Sequence, residues 1–151
     1  MRKIDYTRKM CRGEPRGTLR EPSVSIHNPE DIIGYVRSLA RSAVEHAAVL
    51  PIDSANHVLG AEEISRGGTE STPVPIPTLF RCVLKYDTAS GFILVHNHPS
   101  ENATPSDADI DMTSLLVSAG KLMGLPLLDH IVFGRYGASK SIRRLRPSIF
   151  D

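Results

Sequence analysis

A short apolar run, GFILV at residues 91–95, constrains the fold of this chain more than any other segment. The run has no polar position that could face solvent, and it is too short for an independent helix. It therefore predicts a strand buried on both faces. The run leads directly into His96-Asn97-His98-Pro99. Because residues two apart in extended backbone face the same side, the sequence predicts two imidazoles side by side at the end of a buried strand.

The rest of the chain alternates helical and extended patterns. Asn28-Pro29 is predicted to open a helix, because asparagine is a favoured N-cap and proline is tolerated in the first turn. A turn signal at 53–56 follows an apolar run, and the return strand is predicted at 57–64. We further expect a loop at 67–77 and a helix that ends near Asp87. After the apolar run at 91–95 we expect a loop at 100–105 and a helix from Ser106 to Gly124. A strand at 127–133, a turn at 134–137 and a short strand are expected to follow. Helices interleaved with strands indicate an α/β or α+β domain.

Length and charge suggest one domain with a basic arm. The chain has 151 residues, 40% of them hydrophobic, which suits a single globular domain at 26–151. Residues 1–25 lack periodicity and are predicted to form a partly flexible N-terminal arm. Residues 1–20 carry seven basic and two acidic side chains, and residues 140–151 carry four basic and one. Such basic ends are typical of solvated tails or of contacts with nucleic acid. The tail is favoured, since Tyr6 is the one aromatic residue among the N-terminal bases.

The location of the protein is predicted from what the sequence does not contain. No apolar run approaches the length of a membrane span, and no apolar stretch follows the charged start as in a secretory signal. We therefore expect a cytoplasmic protein without a membrane partner. Its two cysteines, Cys11 and Cys82, are expected to be reduced, with Cys82 a small buried residue of a helix.

The paired histidines suggest a metal site. A catalytic zinc ion commonly takes three protein ligands, and a carboxylate is the usual third ligand beside two histidines. Three aspartates follow closely, and their chemistry alone leaves the choice open: Asp107, Asp109 and Asp111. Ser106-x-x-Asp109 also fits a capping box at the start of a helix. That interpretation would occupy the same carboxylate, so the two interpretations compete for Asp109.

Several spaced residues together carry a family resemblance. His96-x-His98-Pro99 followed by Ser106-x-x-Asp109 matches the JAMM signature of JAB/MPN-domain metallopeptidases. With LDHI at 128–131, the string HNHPS…TPS…D resembles the bacterial RadC family across about residues 28–142. The resemblance implies a single JAB/MPN-type domain of the α/β (α+β) class, with a central mixed β-sheet flanked by helices in a cytidine-deaminase-like arrangement. It also implies that His96, His98 and Asp109 bind Zn²⁺ and that Ser106 helps to hold an oxyanion.

The resemblance also implies a catalytic glutamate upstream. The family places it between the first helix and the following strand, and Glu45 in Val44-Glu45-His46 occupies that position. Its implied role is that of general base toward a zinc-activated water. The residue pattern alone does not rank Glu45 above the other nearby glutamates, which are Glu62, Glu63 and Glu70.

The function implied is a zinc-dependent metallohydrolase, a peptidase or isopeptidase acting on a peptide or protein. A first alternative is a DNA-repair-associated factor of the RadC family that binds nucleic acid through its basic ends without peptidase activity. A second alternative is a non-catalytic interaction module. The letters His96-Asn97-His98 are weak support for an HNH nuclease, whose residues span a longer hairpin. A nucleoside deaminase is disfavoured because its Pro-Cys-x-x-Cys segment is missing.

Overall fold

A mixed β-sheet forms the centre of the molecule. The computed structural model describes residues 27, 29–32, 36, 39, 41–67 and 74–151. The five strands of the sheet are β1 (His46–Asp53), β2 (Glu62–Arg66), β3 (Ala89–Asn97), β4 (Leu127–Phe133) and β5 (Ser139–Ser141). Among the described residues, the α-helices whose two ends are defined are α1 (Ile76–Val83), α2 (Asp107–Met123) and α3 (Ile142–Leu145), and short 3-10 helices lie at Pro29–Ile32 and Pro147–Ile149. The predicted α/β (α+β) class with a central mixed sheet is confirmed.

The strand order places β3 in the middle of the sheet. The order is β2-β1-β3-β4-β5, in which β3 and β4 run parallel and the other neighbours run antiparallel. Parallel neighbours need a crossover connection, which is usually a helix. Here α2 supplies it between β3 and β4. The start of α2 therefore lies beside the end of β3.

Both faces of β3 are buried, as its apolar run predicted. Phe92 and Leu94 belong to a cluster that includes side chains of α1 and α2, whereas Ile93 and Val95 belong to a cluster on the opposite face. Burying such side chains contributes about 1.5–3 kcal/mol each. The opposite cluster also includes Ile32, Val36 and Leu39. Val36 and Leu39 are helical, and the bounds of the helix predicted from Asn28 lie outside the described residues.

The hairpin prediction placed the second strand too early. β2 begins at Glu62 rather than at His57, and Val58 forms only an isolated bridge with Ile52. Between them the backbone passes the ring of Tyr86 so closely at Gly60 that a Cβ atom would collide with it. This contact involves a residue that is distant in sequence, so local alternation could not reveal it.

Two boundaries of α1 also differ from the prediction. The helix begins at Ile76, so Pro77 belongs to its first turn rather than to the predicted loop at 67–77. Proline is tolerated there because the first N–H groups of a helix have no intrahelical partner. The helix ends at Val83 rather than near Asp87. Residues 68–73 of the predicted loop and the predicted arm at 1–25 lie outside the described residues.

Cys82 packs in the core but does not have the predicted redox state. Its side chain is fully buried in the cluster on the α1 side, as expected. The structure describes it as disulfide-bonded, so the expectation of a reduced thiol is wrong for this residue. A cysteine count cannot reveal which thiols a fold brings within bonding distance.

Within the part of the chain that the structure describes, no helix has the length and apolar character needed to span a bilayer. The cytoplasmic location stays a prediction.

Gly120 provides a test of how α2 packs on the chain that follows it. A Cβ atom there would lie 2.6 Å from the Leu125 carbonyl oxygen and 3.1 Å from the Leu127 amide nitrogen, both of them backbone atoms. Alanine gains about 1 kcal/mol over glycine in a helix, but overpacking against backbone costs about 1–3 kcal/mol or more. We expect Gly120→Ala to lower the urea unfolding midpoint. Ser118→Ala, an exposed change in the same helix, should leave it nearly unaltered, and equal midpoints for both variants would contradict the packing described.

Candidate metal centre

The end of β3 presents two histidine rings to the same space. His96 is buried and lies on the face of β3 that Leu94 shares with α2. His98 follows the strand and continues its pairing, since its N–H donates to the Phe133 carbonyl oxygen at 2.7 Å. The Nε2 atoms of His96 and His98 lie 3.0 Å apart. The predicted side-by-side arrangement of the imidazoles is therefore confirmed in geometry.

The start of α2 brings a carboxylate to the same point. Ser106 is the N-cap, its Oγ accepts from the Asp109 N–H at 3.2 Å, and Asp109 Oδ2 accepts from the Ser106 N–H at 2.7 Å. The capping box is thus present. The same carboxylate faces the histidines, with Oδ1 3.2 Å from His96 Nε2 and Oδ2 3.3 Å from His98 Nε2. The Asp109 carboxylate therefore caps the helix and faces both histidines at the same time, so the capping box does not exclude the candidate ligand role.

The spacing of the donor atoms fits a metal ion. One donor atom from each of His96, His98 and Asp109 lies within 4.8 Å of the others, and no second group of this kind occurs among the described residues. Ligands at 2.0–2.2 Å in tetrahedral geometry lie about 3.3–3.6 Å from one another, close to the 3.0–3.3 Å found here. Asp107 and Asp111 are exposed and outside the group. The geometry therefore selects Asp109 among the three aspartates.

Asp109 and His98 affect each other's pKa values, and His96 affects that of Asp109. Burial alone would raise the pKa of Asp109, but the neighbouring rings of His96 and His98 and the hydrogen bond from the Ser106 N–H outweigh it and hold that pKa well below its ordinary range. The carboxylate is therefore ionised. The Asp109 carboxylate raises the pKa of His98 against the opposing effect of burial, and the charge of Glu45 contributes in the same direction.

Both ring nitrogens of His96 and both ring nitrogens of His98 have defined neighbours. His98 Nδ1 lies 3.1 Å from the Asn102 carbonyl oxygen, which can only accept, so Nδ1 carries the proton and Nε2 faces Asp109. His96 Nδ1 lies 2.8 Å from Nε2 of His130, which is 1% exposed. Burial lowers the pKa of His130 well below its ordinary value. The sequence analysis used His130 only as part of the LDHI string and did not identify its contact with His96.

The register of β1 on β3 brings Glu45 near the same point. Ala47 pairs with His96 in the antiparallel ladder, so two residues earlier the chain reaches the level of His98 on the same face. Glu45 occupies that position, half-buried, and its charge influences the pKa of His98. The structure thus places Glu45 beside the candidate ligands, and its catalytic role stays a prediction.

Asn97, between the two histidines, ties the Glu45 segment to β3. Its side chain is fully buried on the face opposite to the metal site. Asn97 Oδ1 accepts from the His46 N–H at 2.8 Å, and Nδ2 donates to the carbonyl oxygens of Val44 at 3.0 Å and Ser42 at 3.3 Å. The same strand end therefore holds the candidate ligands on one face and the Glu45 backbone on the other.

A second chain of contacts holds the Glu45 segment from its other side. His46 Nδ1 lies 3.0 Å from Glu63 Oε1, and His46 Nε2 lies 2.8 Å from Ser42 Oγ. Glu63 is therefore engaged with His46, and Glu62 accepts a hydrogen bond from the Tyr86 hydroxyl at 3.0 Å. Glu70 lies outside the described residues. Glu45 is thus distinguished from Glu62 and Glu63 by its position.

The Ser106 hydroxyl, which is predicted to contact an oxyanion, also contacts the Asp109 carboxylate. Its Oγ–H donates to Asp109 Oδ2 at 2.8 Å, so the hydroxyl supports the carboxylate directly. The predicted contact with an oxyanion would require this proton to turn toward a substrate, and that role stays a prediction.

Comparison with known proteins identifies the family. A family model described as the RadC-like JAB domain matches residues 26–146. This chain belongs to the RadC-like JAB domain family. The family predicted from the HNHPS…TPS…D string is therefore confirmed. The fold and the grouping of His96, His98 and Asp109 agree with a RadC-like JAB domain.

The relatives of this RadC-like JAB domain include UPF0758 proteins from several bacteria. That of Syntrophomonas wolfei is 41% identical over 114 residues, which is 72% of this chain and 48% of the relative. That of Desulforamulus reducens is 42% identical over 118 residues, 76% of this chain and 50% of the relative. The chain thus spans about half the length of these curated relatives. Their names specify neither a reaction nor a substrate.

The contacts of Asn97 generate a test of the coupling between β3 and the Glu45 segment. Asn97→Ala leaves the His46 N–H and two carbonyl groups without these partners. A buried polar group left unpaired costs about 1–3 kcal/mol, so we expect a clear fall in the free energy of unfolding, measured by urea titration. The control is Asn102→Ala, an exposed asparagine whose side chain accepts only the Thr104 N–H among the contacts described. A loss no larger than that of the control would show that Asn97 does not carry the coupling.

Proposed function

We propose that this domain is a zinc-dependent metallohydrolase that cleaves a peptide or isopeptide bond. His96, His98 and Asp109 would hold the zinc ion, Glu45 would act as general base and acid, and Ser106 would donate a hydrogen bond to the oxyanion. The observation that carries the proposal is the convergence of two Nε2 atoms and an ionised carboxylate at 3.0–3.3 Å. If none of these three atoms carries a proton, their lone pairs repel one another at this spacing unless a cation lies between them.

The nature of the donors favours zinc. Two imidazoles and one carboxylate form a common catalytic zinc set that leaves a coordination position for water or substrate. Magnesium and calcium prefer oxygen ligands throughout. Ferrous iron also uses two histidines and a carboxylate, and the family resemblance decides our choice of zinc over iron. Metal analysis separates the two directly.

The residues around the site supply the remaining chemistry. A zinc ion, when bound, provides a Lewis acid that lowers the pKa of a coordinated water to about 7. Glu45 lies on the same face as His98 and would accept the proton and return it to the leaving amine, a role that typically contributes about 10²- to 10⁴-fold. Ser106 would stabilise the charge that develops on the carbonyl oxygen. These roles describe hydrolysis of an amide, so the proposed substrate is a peptide or protein.

The alternatives have less support among the described residues. A role in nucleic-acid binding relies chiefly on residues 1–20, which lie outside them. A purely non-catalytic module would not need ligand positions, whereas this chain has all three grouped together. Hydrolysis is therefore the function we favour.

Zinc stoichiometry tests the proposed ligands. We expect about one equivalent of zinc in the wild type and a strong loss in His96→Ala, His98→Ala and Asp109→Ala, measured by elemental analysis after exposure to zinc and iron salts. The reason is that each change removes one of three protein ligands. His57→Ala is the matched control. His57 Nδ1 lies 3.0 Å from Asp53 Oδ2, so this change also removes a histidine that contacts a carboxylate, but neither residue belongs to the metal group. Full zinc content in all three ligand variants would refute the site, and iron in place of zinc would refute the choice of metal.

Glu45→Gln tests the proposed base. The variant should retain zinc, because Glu45 is not among the grouped donors, and should lose hydrolysis by about 10²-fold or more. Hydrolysis is followed by mass spectrometry on synthetic peptides that contain either ordinary peptide bonds or amides of the lysine side chain.

Glu101→Gln is the control for the Glu45 variant. Glu101 is an exposed carboxylate of the loop that follows His98, and its removal should leave turnover close to that of the wild type. Undiminished hydrolysis in Glu45→Gln would remove Glu45 from its proposed role.

A further inference from the structure

A continuous line of hydrogen bonds leads from the helix that carries Asp109 to the buried ring of His96. Thr113 lies one turn beyond Asp109 in α2, and its Oγ1 is 2.6 Å from the Asp109 carbonyl oxygen. The same Oγ1 is 2.7 Å from His130 Nδ1. His130 Nε2 is in turn 2.8 Å from His96 Nδ1. Thr113 and His130 are both fully or almost fully buried, at 0% and 1% exposure.

The proton of Thr113 can occupy only one place in this line. A carbonyl oxygen only accepts, and two oxygens at 2.6 Å without a proton between them would repel each other. The hydroxyl therefore donates to the Asp109 carbonyl oxygen. A hydroxyl has one proton, so Thr113 Oγ1 must accept in its other contact. His130 Nδ1 is consequently the atom that carries a proton.

The state of His130 then determines the state of His96. A charged imidazole in this enclosed position would lose its hydration, so the His130 ring is neutral and has a single proton. That proton is on Nδ1, which leaves a lone pair on Nε2. His96 Nδ1 must donate to this lone pair, so a singly protonated His96 ring has no proton on Nε2. This nitrogen is the one that faces Asp109 and His98.

We propose that Thr113 and His130 are positioning residues that hold the His96 proton on Nδ1 and thereby keep Nε2 free to bind the metal ion. The proposal rests on the proposed function in taking His96 as a ligand, whereas the position of the proton does not depend on any metal. Most metal-binding histidines donate their second N–H to a carboxylate, a backbone carbonyl or a water. Here a neutral histidine accepts it, and a threonine in the ligand helix fixes the orientation of that acceptor.

The arrangement also joins two ligands that come from different elements. Asp109 starts α2 and His96 ends β3, and the line through Thr113 and His130 connects the backbone of one to the ring of the other. A shift of α2 along the sheet would therefore disturb the His96 ring. Neither Thr113 nor His130 is among the grouped donor residues, so their effect can be separated from that of the ligands.

The proton positions can be read directly in the metal-free protein. Long-range proton–nitrogen NMR of histidine-labelled protein, with the His96 signals assigned by their absence in His96→Gln, distinguishes protonated from unprotonated ring nitrogens. At a pH where exposed histidines are neutral, we expect His96 and His130 both to be protonated on Nδ1 and unprotonated on Nε2. A proton on His96 Nε2 with Nδ1 bare would overturn the proposal.

Thr113→Val tests the dependence of this state on the hydroxyl. The change keeps nearly the same volume but removes the acceptor of the His130 Nδ1–H. We expect the defined His130 and His96 proton positions to be lost and zinc affinity, measured by competition with a chelator, to fall about 10- to 100-fold. Thr113→Ser retains the hydroxyl and should restore both. A folded Thr113→Val protein with unaltered proton positions and affinity would overturn the proposal.

Two different results would contradict the positioning role and the proposed function. If the wild type binds no zinc but His96 is protonated on Nδ1, the hydrolase proposal fails while the positioning role stands. If zinc binds and His96 is protonated on Nε2 in the metal-free protein, the positioning role fails alone. The wild-type spectrum gives this decision even if Thr113→Val does not fold.

Discussion

The burial of β3 on both faces, together with its pairing along both edges, determines which way each of its side chains points. A slip of one residue would exchange the two apolar sets and turn every polar group to the wrong side. With Phe92 and Leu94 packed toward α2, His96 must face α2 as well, and Asn97 must face the opposite layer. The strand end thus carries candidate ligands on one side and a hydrogen-bonding amide on the other. The rest of the site is arranged around this alternation.

Two other parts of the chain meet at the end of β3, and hydrogen bonds to backbone groups set the position of each. The start of α2 is set by its capping box, in which Ser106 and Asp109 satisfy each other's N–H groups. The Glu45 segment is set by the antiparallel register of β1 and by the amide of Asn97. Since these contacts are largely to backbone groups, the relative positions of the side chains depend little on flexible rotamers. A site built in this manner is well ordered before any ligand arrives.

Much of this organisation could be predicted from the sequence, and the remainder could not for physical reasons. The apolar run at 91–95 predicted the buried strand, and the His-x-His spacing predicted the shared face of the rings, because both follow from the two-residue period of extended backbone. The dual role of Asp109 was missed, since a carboxylate has two oxygens and the sequence cannot show that helix capping and ligand geometry are compatible. The late start of β2 and the contact of His130 with His96 depend on pairs distant in sequence, which local patterns do not encode.

The capping box has one more consequence, for the order in which folding and metal loading occur. The orientation of the Asp109 carboxylate is already determined by the helix that it begins, through the N–H and hydroxyl of Ser106. The apolar clusters on both sides of the sheet do not include any ligand. Under the proposed function, the ion would bind to a scaffold that has already folded, in contrast to zinc fingers, which are unfolded without their metal. Removal of the ion by a chelator would then abolish the proposed activity without denaturing the protein. The metal-free form would remain folded and able to bind the ion again.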